Sequence, residues 1–348
     1  MPSAIEIPVV DPYDVADDPA LPTLASALDP EVAARRLRWH LARLAGDRRV
    51  ELREIRVVRY KPGRRCLVEY DIDVPDGDGW ESVTLIGKVQ RGRFGNSGYR
   101  LLDALWHVGF DALSEDGISV PEPIATIRVF RMWLQRRVPG VASSELLAHP
   151  GAEGLAERIA EAAHKLHRAG IPAKRSHGIG GELRILERCL AEVARRSTVR
   201  AERTRQLMVA CERLAARTPE CVPTGVHRDF YADQVIVDDD RLTLVDFDLY
   251  CRGDPALDIG NFLGHLTEQG LREHGDPHAL ASAENALEER FVELSGEHVR
   301  RGVRAYAALT LARHVFLSTQ LPDRSHLTDP LLELATERVR TAGGAGVR

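Results

Sequence analysis

The sequence predicts an α+β chain of two lobes, the first an antiparallel sheet plus a helix and the second mostly helical. Three observations carry this. From Glu54 to Val89 apolar and polar side chains alternate with a period of two. Beyond Gly140 the dominant spacing becomes that of helices, as in Leu155, Ile159, Ala162 and Leu166. Between the two regimes lies Val138-Pro139-Gly140, whose residues suit a crossover between lobes.

Residues 1–30, rich in Pro and Asp, read as an irregular lead-in, and a helix follows from Pro30 to about Gly46 with Val32, Leu37, Leu41 and Leu44 apolar. The first lobe then spans 31–138. Cys66, Val68, Tyr70, Ile72 and Val74 alternate with Leu67, Glu69, Asp71 and Asp73, and Val83 to Gln90 repeats the pattern, so three antiparallel strands are expected. Lys61-Pro62-Gly63-Arg64 and Pro75-Asp76-Gly77-Asp78-Gly79 supply the turns between them. Between Ser97 and His107 a helix is expected, with Tyr99, Leu102, Asp103 and Trp106 on one face. Ile124 to Arg137 is strand-like again. The second lobe, 139–340, carries amphipathic segments at about 182–215, 279–296 and 299–318, interrupted by a hairpin at Val235–Asp246 whose turn is Asp238-Asp239-Asp240. The Gly/Ala-rich tail, 341–348, is expected to be disordered.

A chain of 348 residues with 44% hydrophobic content has enough apolar side chains for two such lobes. Its formal charge of −5 comes without a long single-sign block, so no nucleic-acid or acidic-membrane partner is indicated and a small soluble ligand is the default. Five cysteines with no CxxC pair argue against a disulfide framework or a structural zinc and fit a reducing cytoplasm. The acidic start and the lack of any run of about 18 apolar residues give no export signal and no membrane span. The oligomeric state is left open.

The chemistry concentrates in His227-Arg228-Asp229-Phe230-Tyr231-Ala232-Asp233-Gln234, followed by the hairpin and then Asp246-Phe247-Asp248. A loop acid, an amide five residues on and a second acid after a short hairpin is the set that phosphoryl transfer needs. Asp229 would accept or orient the proton of an attacking hydroxyl, while Gln234 and Asp246 would hold Mg²⁺ bridging the phosphates of ATP.

This segment resembles the catalytic and metal-binding loops of aminoglycoside phosphotransferases, choline kinases and related small-molecule kinases. The resemblance implies a protein-kinase-like fold and extends over about residues 50–320. Leu166-His167, within Ala160–Pro172, resembles the helix preceding the catalytic loop. Gly253-Asp254-Pro255-Ala256-Leu257-Asp258 resembles the segment in which Asp258 braces that loop. Ile86-Gly87-Lys88 resembles the strand with the ATP-pairing lysine, which implies that Lys88 meets the α- and β-phosphates. Lys61 to Arg65 stands where the fold lays a loop over the nucleotide, without a GxGxxG. The resemblance gives His227 a scaffolding role, and Asp248 either a second metal contact or bonds to backbone amides.

Two positions depart from the family pattern. Gln234 stands where most members have Asn, and in this the chain resembles bacterial maltokinases; both amides offer a carbonyl oxygen to a metal. Arg100 stands where the lysine's glutamate partner is expected, which leaves Asp103 as the substitute acid. The implied function is phosphorylation of a small-molecule hydroxyl on an aminoglycoside, a sugar or an amino alcohol. For a cationic acceptor Glu268 and Glu273 are the candidate acids, with Arg252 and Arg272 close in sequence. The alternative is a catalytically silent relative that binds nucleotide or metabolite as sensor or scaffold. Protein substrates are disfavoured, since the dozen residues between Asp246 and Asp258 leave no room for a long activation loop.

Overall fold

The computed structural model describes residues 7–42, 49–92, 95–219 and 221–344. The chain divides into two compact units, Met1–Pro139 and Gly140–Arg348.

The first unit is built on a meander of β2 (Glu51–Lys61), β3 (Arg65–Asp76) and β4 (Gly79–Gln90). Period-two sequence makes these strands because one face is apolar throughout: Cys66, Val68, Tyr70, Ile72, Val83, Leu85 and Val89 are all buried. The β3–β4 register pairs Tyr70 with Leu85 and Leu67 with Lys88. Lys88 therefore lies on the other face with Thr84 and Ile86, all half-buried. The strand expected over Ile124–Arg137 is a hairpin of β5 (Pro123–Ile127) and β6 (Met132–Arg136), turned through Arg131 in the left-handed region at φ 50°. With β1 (Val9–Val10) the sheet runs β1-β2-β3-β4-β6-β5, antiparallel except for the parallel β1–β2 pair.

The first thirty residues differ from the irregular segment that their composition suggests. Besides β1 they form α1 (Leu24–Leu28) and lead directly into α2 (Pro30–His40), capped by Asp29 accepting from the Val32 N–H at 2.9 Å with Pro30 at the first helical position. Val15, Leu21, Leu24 and Ala27 are buried in the same core as the sheet. Asp18 Oδ2 accepts from Tyr60 Oη and from the Gly63 N–H, both at 2.8 Å, and Tyr70 Oη donates to the Ala27 carbonyl at 3.0 Å. Local Pro and Asp content conceals this because the partners lie some 40 residues downstream. The described part of α2 ends at His40, short of the expected Gly46; Leu44 and Gly46 lie outside the described residues. In α3 (Ser97–Trp106) the buried stripe runs through Leu102 and Leu105, and Trp106 and Asp103 are only half-buried.

The second unit is mainly helical: α4 (Ser143–Leu147), α5 (Glu153–Arg168), α6 (Ile179–Arg196), α7 (Thr198–Arg217), α8 (Ala256–His274), α9 (Ala281–Ser295), α10 (Arg300–Ser318) and α11 (Thr328–Gly344). The single amphipathic stretch expected over 182–215 is two helices broken at Ser197, whose extended backbone stops α6. Helix α11 runs through Thr341 to Gly344, within the tail expected to be disordered, and residues 345–348 lie outside the described ones. Its strands are β7 (Val141–Ala142), β8 (Thr224–Val226), β9 (Val235–Asp238), β10 (Arg241–Leu244) and β11 (Cys251–Gly253). The acidic hairpin pairs Asp238 with Arg241, so Asp239 and Asp240 are the turn, with Asp239 at φ 48°.

Helix α8 is buried nearly all round, from Ala256 through Gly264 without a break, so it lacks the one-sided stripe by which a helix is recognised in sequence. It lies against α10 at glycines: a Cβ on Gly260 would sit 2.4 Å from Tyr306 Cβ and 2.6 Å from the Val303 carbonyl. Gly260→Ala is expected to force α8 and α10 apart at a cost of about 1–3 kcal/mol. Gly154→Ala, with open space around its new methyl group on α5, is expected to be neutral or to stabilise by up to about 1 kcal/mol. Urea unfolding of both variants distinguishes close approach from the general helix preference for alanine.

Candidate functional site

The loop after β8 is held from beneath by one carboxylate. Asp258, in the first turn of α8 and fully buried, accepts the backbone N–H of His227 through Oδ2 at 2.8 Å and that of Arg228 through Oδ1 at 2.7 Å. His167 Nε2, from the end of α5, donates to Oδ2 at 2.8 Å. Three donors on a carboxylate near a helix N-terminus satisfy its charge locally. His227, itself fully buried, turns its Nε2 to the Val245 carbonyl at 2.9 Å and so ties the loop to the strand end before Asp246. On the far side of Asp229, the Phe230 ring is buried and its carbonyl accepts from Asn261 Nδ2 at 2.9 Å. Asp229 is thus left half-buried between two fixed neighbours.

Gln234 and Asp246 meet at one end of the β9–β10 hairpin. The Val245 N–H donates to the Gln234 carbonyl at 3.0 Å, extending the ladder beyond the Val235–Leu244 pair. Gln234 sits in a single turn, Ala232–Gln234, and is buried. The Tyr231 phenol is pushed up by burial first and then by the carboxylates of Asp229, Asp233 and Asp246. A hydrogen bond with the Gln234 side chain acts on the phenol in the opposite direction. A carbonyl oxygen and the Asp246 carboxylate are hard donors suited to Mg²⁺, which takes one or two protein ligands and completes its shell with phosphates and water. No group of three His, Cys, Asp or Glu side chains among the described residues is placed to hold a metal.

Two residues carry backbone strain here. Arg228 has φ 71° and Asp246 φ 60°, both left-handed and neither glycine. Asp248 follows in the turn Phe247–Leu249, and its carbonyl accepts from Arg175 Nη2 at 2.6 Å.

The remaining sequence candidates lie in the first unit. Lys88 is half-buried on β4. Asp103 has a side chain 48% exposed, and its described ion contact is with His107 Nδ1, one turn along the same helix at 3.9 Å. Arg100 is exposed on α3.

The structure also brings in side chains to which the sequence reading gave no role at the site. His167 is one, visible in sequence only through the Leu166-His167 pair. Asn261 is another: its Oδ1 accepts from Arg313 Nη2 at 2.7 Å, and Arg313 lies 3.5 Å from Glu182, which takes His177. Tyr231 stacks on His265 with ring centres 4.6 Å apart, and His265 meets His314 edge-on at 4.5 Å. The two acids considered for a cationic acceptor already have cations: Glu268 has Arg272 at 3.3 Å and Arg324 at 3.4 Å, and Glu273 has Arg272 at 2.9 Å. A separate cavity of about 430 Å³ opens at the Thr224–Gly253 end of the β8–β11 pair, lined by His177, Arg184, Arg252 and Asp254 among others. Asp229, Gln234 and Asp246 do not line it.

Replacing Asp258 by Asn puts an NH₂ group where three N–H donors converge. Asp258→Asn is therefore expected to lose about 3 kcal/mol of stability, the scale of a buried charged hydrogen bond broken on one side, measured by chemical unfolding. Burial, with Arg313, Arg324 and Arg272 nearby, pushes His314 down to about 3. An unfolded histidine titrates near 6.5, so between these values the unfolded chain binds a proton that the folded chain does not. Stability should fall as pH drops below 6.5, by up to about 1.4 kcal/mol per pH unit for this group, and the effect should end below about 3. His314→Gln should make the fall in melting midpoint between pH 7 and pH 5 shallower.

Residues 109–302 match the phosphotransferase enzyme family. A search of curated protein sequences finds no match. Among solved structures, a choline kinase from Cryptosporidium parvum Iowa II is similar with a TM-score of 0.58 at 11% identity, covering 91% of this chain and 97% of that one. A choline/ethanolamine kinase family protein from Mesorhizobium loti gives 0.54 at 15% identity, covering 93% and 98%. A spectinomycin phosphotransferase in complex with ADP and spectinomycin gives 0.53 at 12% identity, covering 88% and 98%. At these identities the structures establish a shared kinase-like fold, with a sheet-containing unit followed by a helical one. The family match adds more, because it covers over half of the sequence and contains His227, Asp229, Gln234, Asp246 and Asp258: the chain belongs to the phosphotransferase enzyme family.

Proposed function

We propose that the protein transfers the γ-phosphate of ATP to a hydroxyl group of a small molecule. The observation that carries this reading is the fixed Asp258 carboxylate, which sets the backbone on the N-terminal side of Asp229 while the β9–β10 hairpin sets Gln234 and Asp246 beside it. In this reading Asp229 receives the proton of the acceptor hydroxyl, or orients that hydroxyl for in-line attack. Gln234 and Asp246 are the residues that would hold Mg²⁺, which would neutralise charge on the transferring phosphate. Lys88, half-buried on β4, pairs with the α- and β-phosphates. Asp248 belongs to the same turn as Asp246, and Asp103 remains the acid proposed to assist Lys88. Use of ATP is supported by the family and by the spectinomycin phosphotransferase with bound ADP. No helix among the described residues is long and apolar enough to cross a membrane.

The test is Mg²⁺-dependent ADP release with and without hydroxyl acceptors. Asp229→Asn should bind ATP nearly as the parent does while turnover falls by about 10²–10⁴. Unchanged turnover would remove Asp229 from the role of base.

A further inference from the structure

Resting on the phosphotransfer reading, in which Lys88 pairs with the phosphates of ATP, we propose that Asp18 is a positioning residue for the nucleotide: it fixes the cationic turn between β2 and β3, so that this turn meets the triphosphate already ordered.

The register of the sheet sets the turn beside Lys88. Lys88 pairs with Leu67, and the ladder ends two rungs on, where Arg65 pairs with Gln90, about 7 Å along the strand. Arg65 and Leu67 share a face with Lys88, because side chains alternate and the opposite face carries the buried Cys66, Val68 and Val89. Beyond Arg65 lie Arg64, Gly63 and Pro62, then Lys61, which pairs with Arg65 across the hairpin. Arg91 joins the same end, its N–H donating to the Arg64 carbonyl at 2.9 Å. Lys61, Arg64, Arg65 and Arg91 are thus gathered at the end of the sheet next to Lys88. Cations gathered in this way repel one another, and an anion of several charges relieves that repulsion.

The turn is held from the other face. The Arg64 N–H closes it on the Lys61 carbonyl at 3.0 Å, with Gly63 in the left-handed region at φ 65°. The Gly63 N–H takes no part in that bond and donates instead to Asp18 Oδ2 at 2.8 Å, beside Tyr60 Oη at the same distance. Tyr60 lies opposite Cys66 and packs against the core, so Asp18 reaches the turn from the face away from Lys88. The segment that carries Asp18 is itself anchored. Val15 and Leu21 are buried in the core, the Leu21 N–H donates to the Asp18 carbonyl at 3.0 Å, and Thr23 Oγ1 donates to the Phe130 carbonyl at 2.9 Å.

The acid and the cations divide the work. The Gly63 N–H above all holds the Asp18 carboxyl below the usual carboxylate range, against the effect of burial, so the tie is made by a carboxylate at neutral pH. Oδ2 is taken by Gly63 and Tyr60, and Oδ1 by the Ala20 N–H at 2.8 Å. The carboxylate therefore binds the backbone of the turn, while the cationic side chains are what a triphosphate would meet. A turn ordered in advance spares ATP the cost of ordering it on binding.

Binding of ATP with Mg²⁺ to the full-length protein is measured by titration calorimetry for the parent, Asp18→Ala, Arg64→Ala and the double variant, and the rate of trypsin cleavage after Arg64 is followed in each protein that keeps this arginine. Asp18→Ala should weaken ATP about ten-fold and speed that cleavage. Arg64→Ala should weaken ATP about five-fold in the parent but by no more than about two-fold on top of Asp18→Ala, since a cation on a loosened turn has less to lose. Asp18→Asn, which keeps an acceptor for Gly63 and gives up the charge, is measured in the same way should Asp18→Ala fail to fold. Unchanged ATP affinity in a folded Asp18 variant overturns the proposal and leaves the phosphotransfer reading standing, even where the turn is cut faster. Additive losses in the double variant overturn it too, because Asp18 would then act by a route other than the turn. A parent that binds no ATP overturns the phosphotransfer reading and this proposal together.

Discussion

Three N–H groups from two parts of the chain end on the Asp258 carboxylate, and the geometry around Asp229 follows from that convergence. The carboxylate belongs to α8, and α8 is held against α10 by the absence of side chains at Gly260 and Gly264. Helix packing is thereby transmitted to the loop through two short hydrogen bonds, at His227 and Arg228, and to α5 through His167. A charged group without access to water is tolerable only when its partners are all in place. The same requirement that makes Asp258 costly to disturb gives the loop one position.

Backbone strain stands beside this brace. Arg228 and Asp246 each occupy the left-handed region, at a cost of roughly 1–2 kcal/mol for a residue with a side chain. Both are flanked by bonds that hold them there. The Arg228 N–H is fixed by Asp258, and Val245, directly before Asp246, is bound on both sides, by the Gln234 carbonyl and by His227 Nε2. Bonds of this kind hold the backbone at Arg228, next to Asp229, and at Asp246 in one conformation, so less ordering would remain to be done on binding.

The parts of the structure visible in the sequence are those encoded over short distances. The β2–β4 meander shows in its period of two because one face is core and the other is not. The order Asp229, Gln234, hairpin, Asp246 shows because all four lie within eighteen residues. Contacts between distant residues were hidden: His167 and Asp258 are 91 positions apart, and Arg313 and Asn261 are 52 apart. Helix α8 was missed for a different reason, since a helix buried on every side has no polar face to set its rhythm. Asp103 shows the limit of face assignment by spacing: the helical period placed it with Leu102, yet in α3 the buried positions are Leu102 and Leu105, and Asp103 is half open to water.

The segment before α2 bears on how this protein can be shortened. By composition it invites deletion, yet β1 pairs with the outer edge of β2 at Ile55 and Arg56, and α1 fills the core beneath the sheet. A chain started at Pro30 would leave the middle of the β2 edge unpaired, with amides and carbonyls exposed beside uncovered apolar side chains. Such an edge is a template for pairing with another copy. A truncation chosen to improve solubility would instead turn this sheet into a site of self-association.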